Sequence, residues 1–212
     1  MASILRRPLR YRYFSATIIL IVINVIVFLL GFVGLQRLIQ VYFGLTPLLV
    51  VNAGAWWQVV TYMFVHGGWG HIFFNMLALF LFGIQLEQRM GSTEFLLYYF
   101  ICGIGAGLAT VFINLATGQG AVDVVGASGA IFALLLAFAT YFPDARIFIF
   151  GILPMRAPVA VALYAGIEIF SSFTSFQSGV AHLTHLAGLV FGYLYLLVRF
   201  GMNPIAIFFH RD

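Results

Sequence analysis

Apolar residues run along this chain in long blocks separated by short polar breaks. The first block, Phe14 to Val33, reads FSATIILIVINVIVFLLGFV. At roughly 20 residues it matches the length a helix needs to cross a bilayer. Later blocks cover His71 to Leu86, Glu94 to Leu115, Ser128 to Phe142, Ala157 to Phe173 and Ala181 to Phe200. The pattern predicts an all-α membrane protein with six transmembrane helices. The block opening at Ser128 is the shortest. At about 1.5 Å per residue it falls short of a hydrocarbon core of about 30 Å, so one of its ends lies below the membrane surface, where water collects. Between the first two blocks, Gly34 to Gly70 is too polar and too broken to span. Its aromatics Tyr42, Phe43, Trp56, Trp57, Tyr62 and Trp69 predict a long interfacial loop with short amphipathic pieces.

Composition sharpens this. The 212 residues are 63% hydrophobic and 8% charged, with a mean hydropathy of +1.08. Soluble domains carry about 25% charged residues, so a bilayer is the natural solvent. The net charge of +4 comes from scattered arginines, which do not make a nucleic-acid surface. Cys102 is the only cysteine, excluding an intramolecular disulfide or a cysteine metal cluster.

The arginines instead report topology. With the N-terminus inside and six spans, Arg6, Arg7, Arg10, Arg12, Arg89, Arg146, Arg156, Arg199 and Arg211 fall on the cytoplasmic side, and Arg37 alone falls outside. The expected organisation is a basic cytoplasmic tail over residues 1–13, a membrane domain over 14–200 and a cytoplasmic tail over 201–212, in a plasma (inner) membrane. The first block reads as a retained helix, since it is too long for a signal peptide and no small-residue cleavage site follows. The helices opening at His71, Ser128 and Ala181 then all start at the outer face.

Polar side chains within spans are costly and point to function. Three groups gather near that face. In HGGWGHIFFN, His71 and Asn75 share a helix face, with His66 just before. In GASGA, Ser128 stands in a glycine-flanked turn. In AHLTHLAGLVFG, His185, Gly188 and Gly192 lie on one face, with His182 one turn earlier. The small residues Gly129, Ala133 and Ala137 offer a matching stripe for close helix approach. Ser128 and His185 would then meet as nucleophile and general base. His71, the Asn75 amide and the Ser128 N–H are candidate oxyanion donors, and Gly126 and Gly129 leave room for a substrate backbone. Packing is the competing account of the serine turn, and an interhelical hydrogen bond is that of Asn75. The hydrolase elbow G-x-S-x-G does not apply, because position 130 is alanine and no strand precedes the serine.

At these residues the sequence resembles the rhomboid family of intramembrane serine proteases, over about residues 14 to 200. The resemblance rests on HGGWGHIFFN, LEQRMG, GASG and HLAGLVFG in that order. It implies a six-helix rhomboid-like bundle and a Ser–His dyad of Ser128 and His185 with no obligatory acid. It also implies His71 and Asn75 as the oxyanion pair, and Glu87 with Arg89 as a structural pair at the cytoplasmic end of the second helix. His182 and His66 read as supporting groups. Substrates would be transmembrane proteins, entering sideways from the lipid past the fifth helix and the segment Ser171 to Gly179, with small residues near the cut. No cofactor and no metal are implied.

Two positions depart from the family pattern. Gln58 follows Trp57 where many relatives carry arginine, which puts the usual loop anchoring in question. Phe132 stands four residues after Ser128, where some bacterial relatives carry a tyrosine that stacks on the catalytic histidine. Phe132 can stack but cannot hydrogen-bond. Asp123 and Glu168 are weaker candidates for a third catalytic member, and a buried Glu168 could equally be protonated and bonded to a neighbouring helix. Two other classes stay open. One is an inactive relative that binds membrane clients. The other is a metal or haem protein using His66, His71, His182 and His185, although no Asp, Glu or Cys joins them at ligand-like spacing in the sequence.

Overall fold

The apolar helix α1 (Ala16–Leu30) continues across a bend into the amphipathic helix α2 (Gln36–Phe43). The bend is a wide turn over Gly31–Leu35, where Gly34 takes φ +88°, a conformation glycine adopts without a Cβ clash. The computed structural model describes residues 6–7, 9–149, 152–174 and 179–209. Short helices α3 (Pro47–Asn52) and α4 (Gln58–Thr61) follow, the first opened by a proline at its start. Helix α5 (Trp69–Ala78) passes through a wide turn at Leu79–Gly83 into α6 (Ile84–Met90). Gly91, at φ +85°, reverses the chain into α7 (Ser92–Ala116), and α8 (Ser128–Tyr141) follows. A two-stranded antiparallel hairpin, β1 (Arg146–Ile149) and β2 (Leu153–Arg156), leads into α9 (Ala157–Thr174), α10 (Gly179–Tyr195) and α11 (Pro204–Phe209).

Among the described residues, five helical segments are long and apolar enough to cross a membrane: Ala16–Phe43, Trp69–Met90, Ser92–Ala116, Ala157–Thr174 and His182–Phe200. The sixth, α8, is shorter. This is the expected six-helix membrane bundle, with its shortest helix at the centre. Every residue of α8 from Gly129 to Thr140 is buried except the half-buried Phe132. A helix apolar on all sides is stable in such a place because neighbours cover all of it. Its 14 residues make about 21 Å, short of a hydrocarbon core of about 30 Å, so α8 does not reach both faces.

Helix α10 packs against α8 through its small residues. A Cβ built at Gly192 would lie 3.0 Å from the Ala133 Cβ and 2.8 Å from the Tyr98 hydroxyl of α7. That hydroxyl donates to the Ala133 carbonyl at 2.6 Å. In the wide turn Leu196–Phe200 that follows α10, the Arg199 guanidinium grips Glu94 of α7, with Nη2 2.7 Å from Oε2 and Nε 2.8 Å from Oε1.

Three expectations change. Glu87 and Arg89 do not pair. The Glu87 carboxylate is fully buried and accepts the N–H groups of Ala16 at 2.6 Å and Thr17 at 2.9 Å, and it also bonds the Ser92 hydroxyl. It caps the start of α1, where orphan N–H groups and the helix dipole favour an anion. Arg89 lies 5.9 Å from the ring centre of Tyr141 instead. The hairpin between α8 and α9 and helix α11 were not expected, because a search for long apolar runs passes over segments of four to six residues. Of the expected gate segment and tails, residues 175–178, 1–5, 8 and 210–212 lie outside the described residues.

Candidate active site

The first-loop segment builds the floor of the site. Leu45 and Val124 exchange both backbone hydrogen bonds at 2.9 Å, tying the chain before α3 to the loop before α8. Gly126 N–H donates to the Tyr62 carbonyl at 2.9 Å, and the Tyr62 hydroxyl reaches the Gly103 carbonyl of α7 at 2.7 Å. Gln58, whose place in the family pattern put the loop anchoring in question, is buried and anchors this segment. Its Oε1 accepts the Thr46 N–H at 3.0 Å and its Nε2 donates to the Val41 carbonyl at 2.9 Å. Asp123 belongs to the same brace, accepting the Thr46 hydroxyl at 2.6 Å. Among the described residues it makes no hydrogen bond to a histidine.

Ser128 opens α8, and its Oγ lies 2.7 Å from His185 Nε2 on α10, 57 residues away in sequence. Phe132, one turn below the serine, stacks flat on His185, with ring centres 4.5 Å apart and planes at 9°. This leaves the imidazole little freedom to tilt. Gly188, one turn below His185, sits against Gly129, below Ser128.

His71 stands on the other side of the serine turn. A Cβ at Gly126 would lie 2.6 Å from His71 Nε2 and 3.7 Å from Ser128 Oγ, and Gly126 has φ +119°. Only glycine leaves this space open. The Gly67 N–H points at His71 Nδ1 from 3.4 Å. A neutral ring that accepts there carries its proton on Nε2, so the donor faces the serine. Asn75 Nδ2 donates one hydrogen to the His71 carbonyl at 2.8 Å, leaving its second hydrogen for another acceptor. The Ser128 N–H lies in the first turn of α8, where helix N–H groups have no partner within the helix.

His66 is buried behind this pair, its ring 5.0 Å from that of His71. Burial, and then the neighbouring His71, hold its pKa down to about 4, so it is neutral near pH 7. It therefore packs behind His71 without adding charge.

Glu168 of α9 reaches two histidines of α10. Its Oε2 is 2.5 Å from His182 Nδ1 and its Oε1 is 3.0 Å from His185 Nδ1. Its being an acid deep inside a span was the available signal. Among the described residues, the cluster whose ligand atoms lie close enough together to hold a metal is Glu168, His182 and His185. It is not the four histidines expected for the metal reading, since His66 and His71 lie apart from it. A serine in contact with a histidine, a second histidine ring beside the serine turn and open space at a glycine are the parts that attack on a carbonyl requires.

Comparison with known proteins agrees in family. The family model described as Rhomboid domain matches residues 53–202. Rhomboid protease AarA of Providencia stuartii is 28% identical over 223 residues, spanning 87% of this chain and 73% of AarA. A candidate rhomboid protease of Bacillus subtilis (strain 168), YdcA, is 31% identical over 148 residues, 68% of this chain and 67% of YdcA. The chain covers much less of longer relatives, 27% of RHOMBOID-like protein 5 of Arabidopsis thaliana among them.

Proposed function

The chain belongs to the rhomboid family, and we propose that it is an intramembrane serine endopeptidase cutting transmembrane helices of other membrane proteins near the outer membrane face. The observation that carries this reading is the 2.7 Å contact of Ser128 Oγ with His185 Nε2 at the mouth of a short, buried helix. The outer face follows from the arginine distribution, with both termini cytoplasmic in a plasma membrane.

In the first step the Ser128 hydroxyl proton passes to His185 Nε2 as Oγ bonds to the scissile carbonyl carbon. The carbonyl oxygen becomes an oxyanion, held by the His71 Nε2–H, the free Asn75 amide hydrogen and the Ser128 N–H. Protonated His185 then gives its proton to the leaving nitrogen, the C–N bond breaks and an acyl-enzyme remains. Water attacks this ester while His185 takes its proton. Collapse releases the new carboxyl terminus and restores the serine. A substrate helix unwound at the site would supply the extended strand this requires, with the open side of Gly126 accommodating its backbone.

The test uses purified protein in lipid vesicles with a single-span substrate, beside Ser128→Ala. The parent cleaves and Ser128→Ala does not. Full cleavage by Ser128→Ala would remove the serine mechanism. A fluorophosphonate that labels the parent but not Ser128→Ala separates an active enzyme from a client-binding relative.

A further inference from the structure

We infer that Glu168 is a positioning residue for the base, holding His185 in the tautomer that leaves Nε2 free to accept the serine proton. The inference rests on the serine-protease reading above and replaces its two-residue catalytic unit with three: carboxylate, imidazole and hydroxyl.

Glu168 is 8% exposed and lies in an apolar helix. A carboxyl group in that setting needs partners for both oxygens. Here it has a histidine on each. The His182 contact at 2.5 Å is a short hydrogen bond that aims the carboxylate. The second oxygen is thereby turned to His185 Nδ1 at 3.0 Å.

That second contact decides the chemistry. A carboxylate accepts and does not donate, so beside it the neutral imidazole places its hydrogen on Nδ1. The lone pair then falls on Nε2, which is the atom 2.7 Å from Ser128 Oγ. The opposite tautomer would present N–H to the hydroxyl and could not take its proton. When His185 becomes an imidazolium, the same carboxylate stands next to the new charge. In the resting enzyme the Nδ1 to Oε1 contact is close without being a formed hydrogen bond. Such contacts tighten once substrate is bound. Phe132 fixes the ring plane and Glu168 fixes which nitrogen carries the hydrogen, and the two act from different helices.

The experiment joins kinetics to nitrogen NMR. In protein labelled with 15N-histidine, at neutral pH, resting His185 shows a pyrrole-type Nδ1 and a pyridine-type Nε2. Glu168→Leu, which keeps volume but accepts no hydrogen bond, gives a mixture of tautomers. Its kcat falls by roughly 100- to 10,000-fold with KM within about twofold, a smaller loss than removal of the dyad itself. Glu168→Gln keeps an acceptor without charge and falls between. A purely structural Glu168 would lower thermal stability without moving the tautomer signal. Any other protonation of resting His185 overturns the inference, whether or not Glu168→Leu folds. So does a Glu168→Leu enzyme with kcat within about twofold of the parent. If Ser128→Ala is dead while Glu168→Leu is unaffected, only this inference fails. If Ser128→Ala still cleaves, the protease reading fails with it, and the tautomer signal reports Glu168 independently.

Discussion

Gly188 on α10 lies against Gly129 on α8 so closely that a Cβ at position 188 would come within 2.0 Å of the Gly129 carbonyl oxygen. No side chain fits between these backbones, and the approach carries His185, one turn away, to the serine that opens α8. Gly188→Ala must therefore push the two helices apart. A displacement near 1 Å at a reacting group costs about 100-fold in rate. The expected result is a kcat loss of that order together with a lower Tm, read by cleavage of a single-span substrate and by thermal unfolding. Unchanged kinetics would mean the helices do not need this approach.

Gly126→Ala probes the other side of the site. The substitution puts a methyl 2.6 Å from His71 Nε2 on a backbone with φ +119°. It displaces the His71 ring, the proposed oxyanion donor, and narrows the space beside the serine. The expected loss in kcat is of the order of 100-fold, as for deletion of a single oxyanion-hole donor. Fluorophosphonate labelling of Ser128 should slow in step. Asn75→Ala should show a kcat loss without the clash.

Glu87→Ala tests the cap on α1. The carboxylate accepts the Ala16 and Thr17 N–H groups, and its removal leaves them unpaired in a buried setting. A cost of about 3 kcal/mol is expected for charge-assisted bonds of this kind. For a chain of this size that lowers Tm by roughly 5–10 °C. Cleavage at low temperature should persist, because the cap lies at the opposite end of the second span from His71.

His66 makes stability depend on pH. Its folded pKa of about 4 lies below the ordinary value of about 6.5. The unfolded chain therefore binds a proton first as pH falls. Stability is fully present above about pH 6.5 and is lost progressively down to about pH 4, by up to about 3 kcal/mol. Thermal unfolding across this window should show the decline, and His66→Gln should flatten it. A slope identical in His66→Gln would assign the effect elsewhere.

The bundle was legible because hydropathy is a local property. The apolar runs identify membrane helices without knowledge of their neighbours, and the short run at Ser128 marks a helix that cannot reach both faces. The stripes Gly129–Ala133 and Gly188–Gly192 were legible for a related reason, since a period of three or four residues names one helix face. The partner of Glu87 was not legible, because it comes from α1, some 70 residues earlier. The role of Gln58 was hidden in the same way. Comparison with an arginine says what is missing, while the carbonyls and N–H groups it reaches depend on how the first loop folds.

The sequence by itself determined that the chain lives in a bilayer, that it carries six apolar helical runs of which one is short, and which few polar residues stand where lipid makes them expensive. Tertiary structure decided who meets whom. It brought Ser128 to His185, turned Phe132 flat against the imidazole and set Glu168 of one helix between two histidines of another. The reason is physical. Burial preference is written residue by residue, whereas a 2.7 Å contact across 57 residues exists only after helices have packed. That packing is decided by which surfaces are small enough to touch.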